Sequence, residues 1–354
     1  MSEKNLTIMI ATKNRPNFLA RAIKYYNISL FKGYIYIGDS SSEDNSKKNL
    51  KILNTYEDLK INYYKDTELS ADQMMSFLSK KVKTRYSVMI NDDDILIISS
   101  VQNCIDFLET NLDFSAVNGR AYNIGLNNDD CISFGKITSI QKYPLPEYQN
   151  ENAVERISNF FYKTLNVNMS ITRSEINMCA FKNVEKLNKF DSAFVFGELI
   201  HAVTVLSKGK IANINDCYLV RQKHSEQHYK KINKLNWLRQ SNLVSAIIEL
   251  HKTLRDELLK KTEITNQKLE NEINNLILVK VQYILERFLK QDKILIILLK
   301  KILNDFVKFI NLIKSYFINP INKFFSNNEK TFFEDQKKLK KYFDLVEKKN
   351  NFKK

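Results

Sequence analysis

The chain has 354 residues, of which 44% are hydrophobic, and carries 55 Lys and Arg against 40 Asp and Glu, a net charge of +15. That length is too great for one small core and predicts about two units. No stretch reaches the roughly 18 uninterrupted apolar residues of a spanning helix; the nearest, 294–318, is broken by Lys300, Lys301, Asp305, Lys308 and Lys314.

The charge is uneven. Residues 1–232 hold 30 Lys and Arg against 26 Asp and Glu, whereas 233–354 hold 25 against 14, so the second part is expected to meet an anionic neighbour. Cys104, Cys131, Cys179 and Cys217 form no C-x-x-C pair, which argues against a zinc knuckle or a dithiol site and fits a reducing cytoplasm. The segment Met1–Leu6 has no apolar signal-peptide core, and export is not expected.

In chain order, Leu6–Ala11 is a short apolar β-prone run closed by the polar turn Thr12-Lys-Asn-Arg-Pro16, as in a buried parallel strand. Phe18, Leu19, Ala22, Ile23 and Tyr26 recur at helical spacing, and Gly33–Gly38 predicts a second strand. It is closed by Asp39-Ser-Ser-Ser-Glu-Asp-Asn-Ser46, a loop dense in turn formers and helix caps. A strand at 60–64, a helix over 71–81 and a strand from Tyr86 to Asn91 continue the alternation. The expected class is therefore α/β, a mostly parallel sheet flanked by helices. From about 115 to 232 the pattern is mixed, with β-prone pieces at 114–117, 167–172, 210–214 and 217–221. They are expected to complete the sheet and to face an acceptor. Beyond Asn233 glycine is absent, proline occurs once, and helical periodicity takes over (Leu243, Ile247, Leu250, Leu254; Leu276, Val279, Tyr283, Leu285, Phe288). The resulting division falls at about residues 115 and 232, with a basic helical region over 233–354.

Three consecutive aspartates, Asp92, Asp93 and Asp94, follow the fourth strand. Carboxylates this close repel one another and are tolerated best where a cation shares their charge. Hard ions such as Mg²⁺ or Mn²⁺ take oxygen ligands and complete their shell with water and phosphate. Ligands of open α/β sheets bind beyond the carboxyl ends of the strands, and all three polar clusters, at 12–15, 39–42 and 92–94, are placed there.

In these features the chain resembles inverting glycosyltransferases with the A-type, nucleotide-sugar-binding fold, in particular bacterial surface-polysaccharide members, over residues 5–230. The matching elements are Thr12-Lys-Asn-Arg15, Asp39-Ser-Ser-Ser-Glu-Asp-Asn-Ser46 with one extra residue before Asp44, and Asn91-Asp-Asp-Asp-Ile-Leu96, in that order. The resemblance implies a nucleotide-binding half over about 1–115, an acceptor half over 116–232 and a nucleotide-sugar donor, a UDP-sugar, with Asp39 accepting from a uracil-like ring and Thr12, Asn14, Arg15 and Ser41 lining the nucleotide pocket. Asp72 would add a further nucleotide contact and Asp92 would reach the ribose.

The aspartate register stays open, since aligning on Ile95-Leu96 selects Asn91 and Asp93 while a direct reading selects Asp92 and Asp94. Asp93 or Asp94 is expected to hold Mn²⁺ or Mg²⁺, with His224 as a further ligand and Arg221 and Lys223 as alternatives that neutralise phosphate. An inverting transfer needs a base for the acceptor hydroxyl. The family supplies it from a Glu-Asp pair opening a late helix. Here Glu198 is kept but Leu199 takes the aspartate's place, so Glu198 is the first candidate and Asp191 the second.

The expected acceptor is a glycan or a lipid-linked glycan. The lysine-interleaved tail would lie on an anionic membrane at the inner face of the cytoplasmic membrane, or pack as a helical bundle on the catalytic part or on a second copy. Two other readings are a sugar nucleotidyltransferase, although the first loop lacks a Gly-rich triphosphate cradle, and a scaffold whose sheet has lost its activity. No nucleic-acid partner is expected, since net charge alone would support it.

Overall fold

The computed structural model describes residues 2–127, 135–163, 165–190, 193–225 and 242–262, together with 274, 275, 277 and 279–281. Asp191, Cys131 and nearly all of the expected helical periodicity beyond residue 262 lie outside the described residues. The chain divides into two compact units, Met1–Ile284 and Leu285–Lys354, and only the first contains described residues.

The amino-terminal half alternates strand and helix. Strand β1 (Leu6–Thr12), helix α1 (Pro16–Ile28), β2 (Tyr34–Asp39), α2 (Glu43–Leu53), β3 (Lys60–Lys65), α3 (Ala71–Lys81) and β4 (Tyr86–Met89) follow in order. Leu6, Ile8, Met9 and Ile10 are wholly enclosed, as a parallel strand covered on both faces requires. Pro16 opens α1, where a missing N–H costs no helical bond, and Phe18, Leu19, Ala22, Ile23 and Tyr26 form its buried face. A capping box starts α3: Ser70 Oγ accepts from Gln73 N at 3.4 Å and Gln73 Oε1 from Ser70 N at 2.9 Å. Gly38 lets α3 lie close on β2, because a Cβ there would fall 2.2 Å from Met74 Cγ.

The remaining elements are β5 (Asp94–Leu96), α4 (Val101–Thr110), β6 (Phe114–Leu126), β7 (Ile137–Tyr143), α5 (Ala153–Tyr162), β8 (Ile171–Arg173), α6 (Ser174–Val184), α7 (Ala193–Lys208), β9 (Lys210–Lys223) and α8 (Leu243–Thr262). One sheet runs in the order β3-β2-β1-β4-β8-β6-β9-β5, with β7 paired to β6. Neighbours are parallel from β3 to β4. Beyond β4 the pairing is mixed: β8 is antiparallel to β4 and to β6, β9 parallel to β6, and β5 antiparallel to β9. The two β-prone pieces at 210–214 and 217–221 are one strand, whose pairing with β6 shifts register at Asn118/Arg120 and Arg120/Ala121, so bulges absorb the polar interval between them. Helices α5 and α6 occupy stretches where loops were expected.

Helix α7 packs on α6, α5 and α8, so residues 243–262 belong with the first unit. Among the described residues no helix is long and apolar enough to cross a membrane.

Candidate active site

Parallel register sets the site's first wall. Thr12 pairs with Asp39 across β1 and β2, and Asp39 with Lys65 across β2 and β3, so the strands end level and their loops share one edge. Asn14 turns the first loop with φ 58°, a left-handed conformation that Asn tolerates better than most residues. Its backbone N–H donates to Ser41 Oγ at 2.7 Å, and its Oδ1 accepts from Ser42 N at 2.9 Å and Asn45 Nδ2 at 3.2 Å, which ties the first two loops together.

Asp39 is fully buried beneath them. Its Oδ1 accepts from Ser41 N at 2.8 Å, and its Oδ2 from Tyr63 Oη at 2.6 Å and Asn49 Nδ2 at 2.8 Å. Burial pushes its carboxyl up, but these hydrogen bonds prevail and hold it below its ordinary value. Asp39 thus organises the loop, and the base-edge contact expected of it meets a carboxylate whose two oxygens are already engaged.

The aspartate cluster is buried as well. Asp92 is 0%, Asp93 7% and Asp94 1% exposed, and each is met by cationic or polar partners from other segments. Asp92 Oδ2 accepts from Thr12 Oγ1 at 2.7 Å and Arg15 Nε at 3.1 Å, and its Oδ1 from Arg15 Nη2. Both oxygens are therefore engaged by the first loop, and Asp92 anchors Arg15. Asp93 Oδ2 accepts from Arg15 Nη1 at 3.1 Å and pairs with His224 Nε2 at 2.8 Å. Asp94 lies opposite Arg221 in the β5–β9 register, and its Oδ2 accepts from Arg221 Nε and Asn91 Nδ2, both at 3.1 Å.

Burial raises the carboxyls of Asp92 and Asp94, opposed by Arg15 and Arg221 respectively. Asp93 is also pushed up by burial, yet the hydrogen bond from His224 and the charges of Arg15, His224 and Arg221 bring it below its ordinary value. Guanidinium groups thus share the charge of the aspartates, a part for which a divalent cation was the expected partner.

Three further residues complete this wall. Phe18 stacks on His224 with ring centroids 4.7 Å apart and carries the guanidinium carbons of Arg15 and Arg21 at 5.6 and 5.5 Å from its ring. Arg21 Nη2 donates to Asp93 O at 2.6 Å, and its Nη1 donates to Gln222. Arg221 lies 4.4 Å from the ring of Tyr143, the last residue of β7. Arg21 could have been found from sequence, because Arg15, Phe18 and Arg21 recur every three residues, a spacing that places side chains near one another on a helix. Tyr143 had no such signal.

The residues fit a hard cation in the way such ions are commonly held, by one or two carboxylates plus substrate oxygens. Asp94 Oδ1 is buried with no hydrogen-bond partner among the described residues, and Asp93 is the least enclosed of the three. Among the described residues no three His, Cys, Asp or Glu side chains converge as a closed cage. His224, expected as a ligand, is held by Asp93 through Nε2.

On the other side stand two acids. Glu198, in the second turn of α7, has an exposed side chain, but surrounding protein raises its carboxyl, the Asp72 charge raises it further, and Arg221 opposes both. Asp72, in the first turn of α3, is pushed up to about 6 by burial. It does not join the first two loops. Leu199, in the family's aspartate position, is 3% exposed and belongs to the core.

The fold, a mixed α/β sheet flanked by helices, matches that of solved glycosyltransferase structures. The chain is similar to the crystal structure of S. aureus TarS 1–349, with a TM-score of 0.52 and 10% identity over 81% of this chain and 74% of that one. It is similar also to the same protein in complex with UDP-GlcNAc, with a TM-score of 0.52 and 14% identity over 81% and 76%. No family model and no curated protein matches the chain.

Proposed function

We propose that the chain is an inverting glycosyltransferase that moves a sugar from a UDP-sugar to a hydroxyl of a glycan or lipid-linked acceptor in bacterial surface polysaccharide assembly. The single observation that carries this reading is the meeting of Arg15, Arg221 and His224 on Asp92, Asp93 and Asp94 at the carboxyl edge of the sheet, with Glu198 in electrostatic reach of Arg221. UDP-GlcNAc bound to the TarS neighbour supports uridine as the donor's nucleoside.

In this reading the loops joined by Asn14 and Ser41 take the nucleoside, and Asp39 keeps them in shape. Arg221, Lys223 and His224 face the diphosphate, where preorganised cations and hydrogen-bonding groups stabilise charge as it develops on the leaving group. Asp93 and Asp94 would hold Mg²⁺ or Mn²⁺, which when bound supplies further neutralisation of the diphosphate. Glu198 takes the proton of the attacking hydroxyl. The basic carboxy-terminal region brings the enzyme to an anionic membrane surface, where a lipid-linked acceptor would lie.

Thermal unfolding of the full chain with UDP and Mn²⁺, against GDP, CMP, TTP and metal-free controls, tests the donor. A rise with UDP, larger when metal is added, is expected; equal response to all four nucleotides, or none, would refute a uridine site.

A further inference from the structure

The surroundings of Asp72 are unusual for a carboxylate. Its Oδ2 has no solvent contact and no hydrogen-bond partner among the described residues. A charged oxygen left this way costs stability unless something in the working protein meets it. The oxygen rests against the backbone of α7: a Cβ on Gly197 would lie 2.8 Å from it, so a side chain there would push the carboxylate aside. The next residue along α7 is Glu198. Glu198 feels the charge of Asp72, so two acids from helices far apart in sequence act on one another at the site.

We infer that Asp72 is a positioning residue for Glu198, the two forming one proton-accepting unit assembled from the first turn of α3 and the second turn of α7. This rests on the glycosyl-transfer reading above.

The chemistry balances without another reactant. As the acceptor oxygen forms its bond to the anomeric carbon, its proton passes to the Glu198 carboxylate. The bond from that carbon to the diphosphate oxygen breaks, and its electron pair leaves with the UDP. Glu198 is exposed, so the proton then passes to solvent. A lone exposed glutamate binds protons too weakly to do this well near neutral pH, and a second carboxylate beside it strengthens proton binding. The other charged or titratable groups facing the pair are Arg221 of β9, which favours the ionised form, and, beside Arg221, Tyr143 of β7 and Asp94 of β5. Asp72 shifts the balance back toward the proton. With Leu199 committed to the core, α3 supplies the acid that α7 lacks at that position.

The test is a carboxyl titration by infrared spectroscopy or ¹³C NMR on the full chain, comparing wild type, Asp72→Asn and Glu198→Gln to assign the Glu198 midpoint. The midpoint is expected to fall in Asp72→Asn. It should fall likewise in Gly197→Ala, which displaces the carboxylate and serves as the second variant if Asp72→Asn does not fold. An unchanged midpoint in a folded variant overturns the pairing.

A second arm follows the pH profile of UDP release from UDP-GlcNAc. Its acid limb should move to lower pH in Asp72→Asn while the Kd for UDP stays the same; a uniform loss of rate with no movement of the limb would mark Asp72 as merely structural. Absence of UDP binding by the wild type would defeat the glycosyl-transfer reading, and the titration would still decide the pair.

Discussion

Along β1, β2 and β3 the strands are parallel and end level, and Asn14, Asp39 and Ser41 bond chiefly within the first two loops and their neighbouring strands. Along β5, β9 and β7 the pairing is mixed, and Asp94, Arg221 and Tyr143 meet from segments as much as 127 residues apart. In the first region turn chemistry builds the wall, and a change there should loosen a loop. In the second, strand register and helix packing place charges against one another, and a change there should leave a charge without its partner. Thr12, Arg15 and Arg21 join the two regions through Asp92 and Asp93.

The comparison predicts a descending series of effects. Glu198→Gln, in the second region, should lower turnover by about 10²- to 10⁴-fold, the usual share of general-base catalysis. UDP affinity measured by calorimetry should be unchanged; equal loss of both would place Glu198 in donor binding.

Asp92→Ala, at the joint between regions, removes a fully buried carboxylate and strands Arg15, whose side chain is only 25% exposed. Breaking such a pair from one side destabilises by about 3–5 kcal/mol. Urea unfolding should show that loss, and a value below about 1 kcal/mol would mean that Arg15 finds another anion.

Asp72→Asn should act in the opposite direction. The folded-state value of about 6 lies above the ordinary 3.8, so the native state holds this proton more tightly than the unfolded chain does. Stability from this group therefore falls as pH rises from about 4 to 6, and the full cost remains above 6. Removing the charge should stabilise the protein by about 3 kcal/mol at pH 8, with the difference vanishing below pH 4. Melting temperatures of both proteins across that range check the sign, and a constant offset would contradict it.

Tyr63→Phe, wholly in the first region, removes one of three hydrogen bonds to Asp39 and should cost about 1 kcal/mol. Chemical denaturation reads it.

The first region was largely legible in the sequence because its signals are local: an apolar run, a turn rich in Asn, Ser and Asp, then a helix with a regular buried face. Strand, loop and helix over residues 6–89 follow that pattern. Placement of the aspartates at a strand end was legible as well, but their partners were not. Arg221 meets Asp94 only through the β5–β9 pairing, and local sequence does not encode which strands become neighbours across a sheet. The inward turn of Asp39 and Asp92 was equally hidden. A short polar run reads as exposed until Tyr63, Asn49, Thr12 and Arg15 are known to surround it. Helices α5 and α6 were missed because their apolar positions are interspersed with Asn, Ser and charged residues, and the observed strand 171–173 keeps only two residues of the expected strand 167–172.

The most direct test of the central claim is a crystal structure of the full chain with UDP-GlcNAc and Mn²⁺. The account predicts diphosphate density against Arg221 and His224, with the metal on Asp93 or Asp94 and the sugar turned toward Glu198. Nucleotide bound away from the carboxyl edge of β1, β2 and β4, or no nucleotide at saturating concentration, would contradict it.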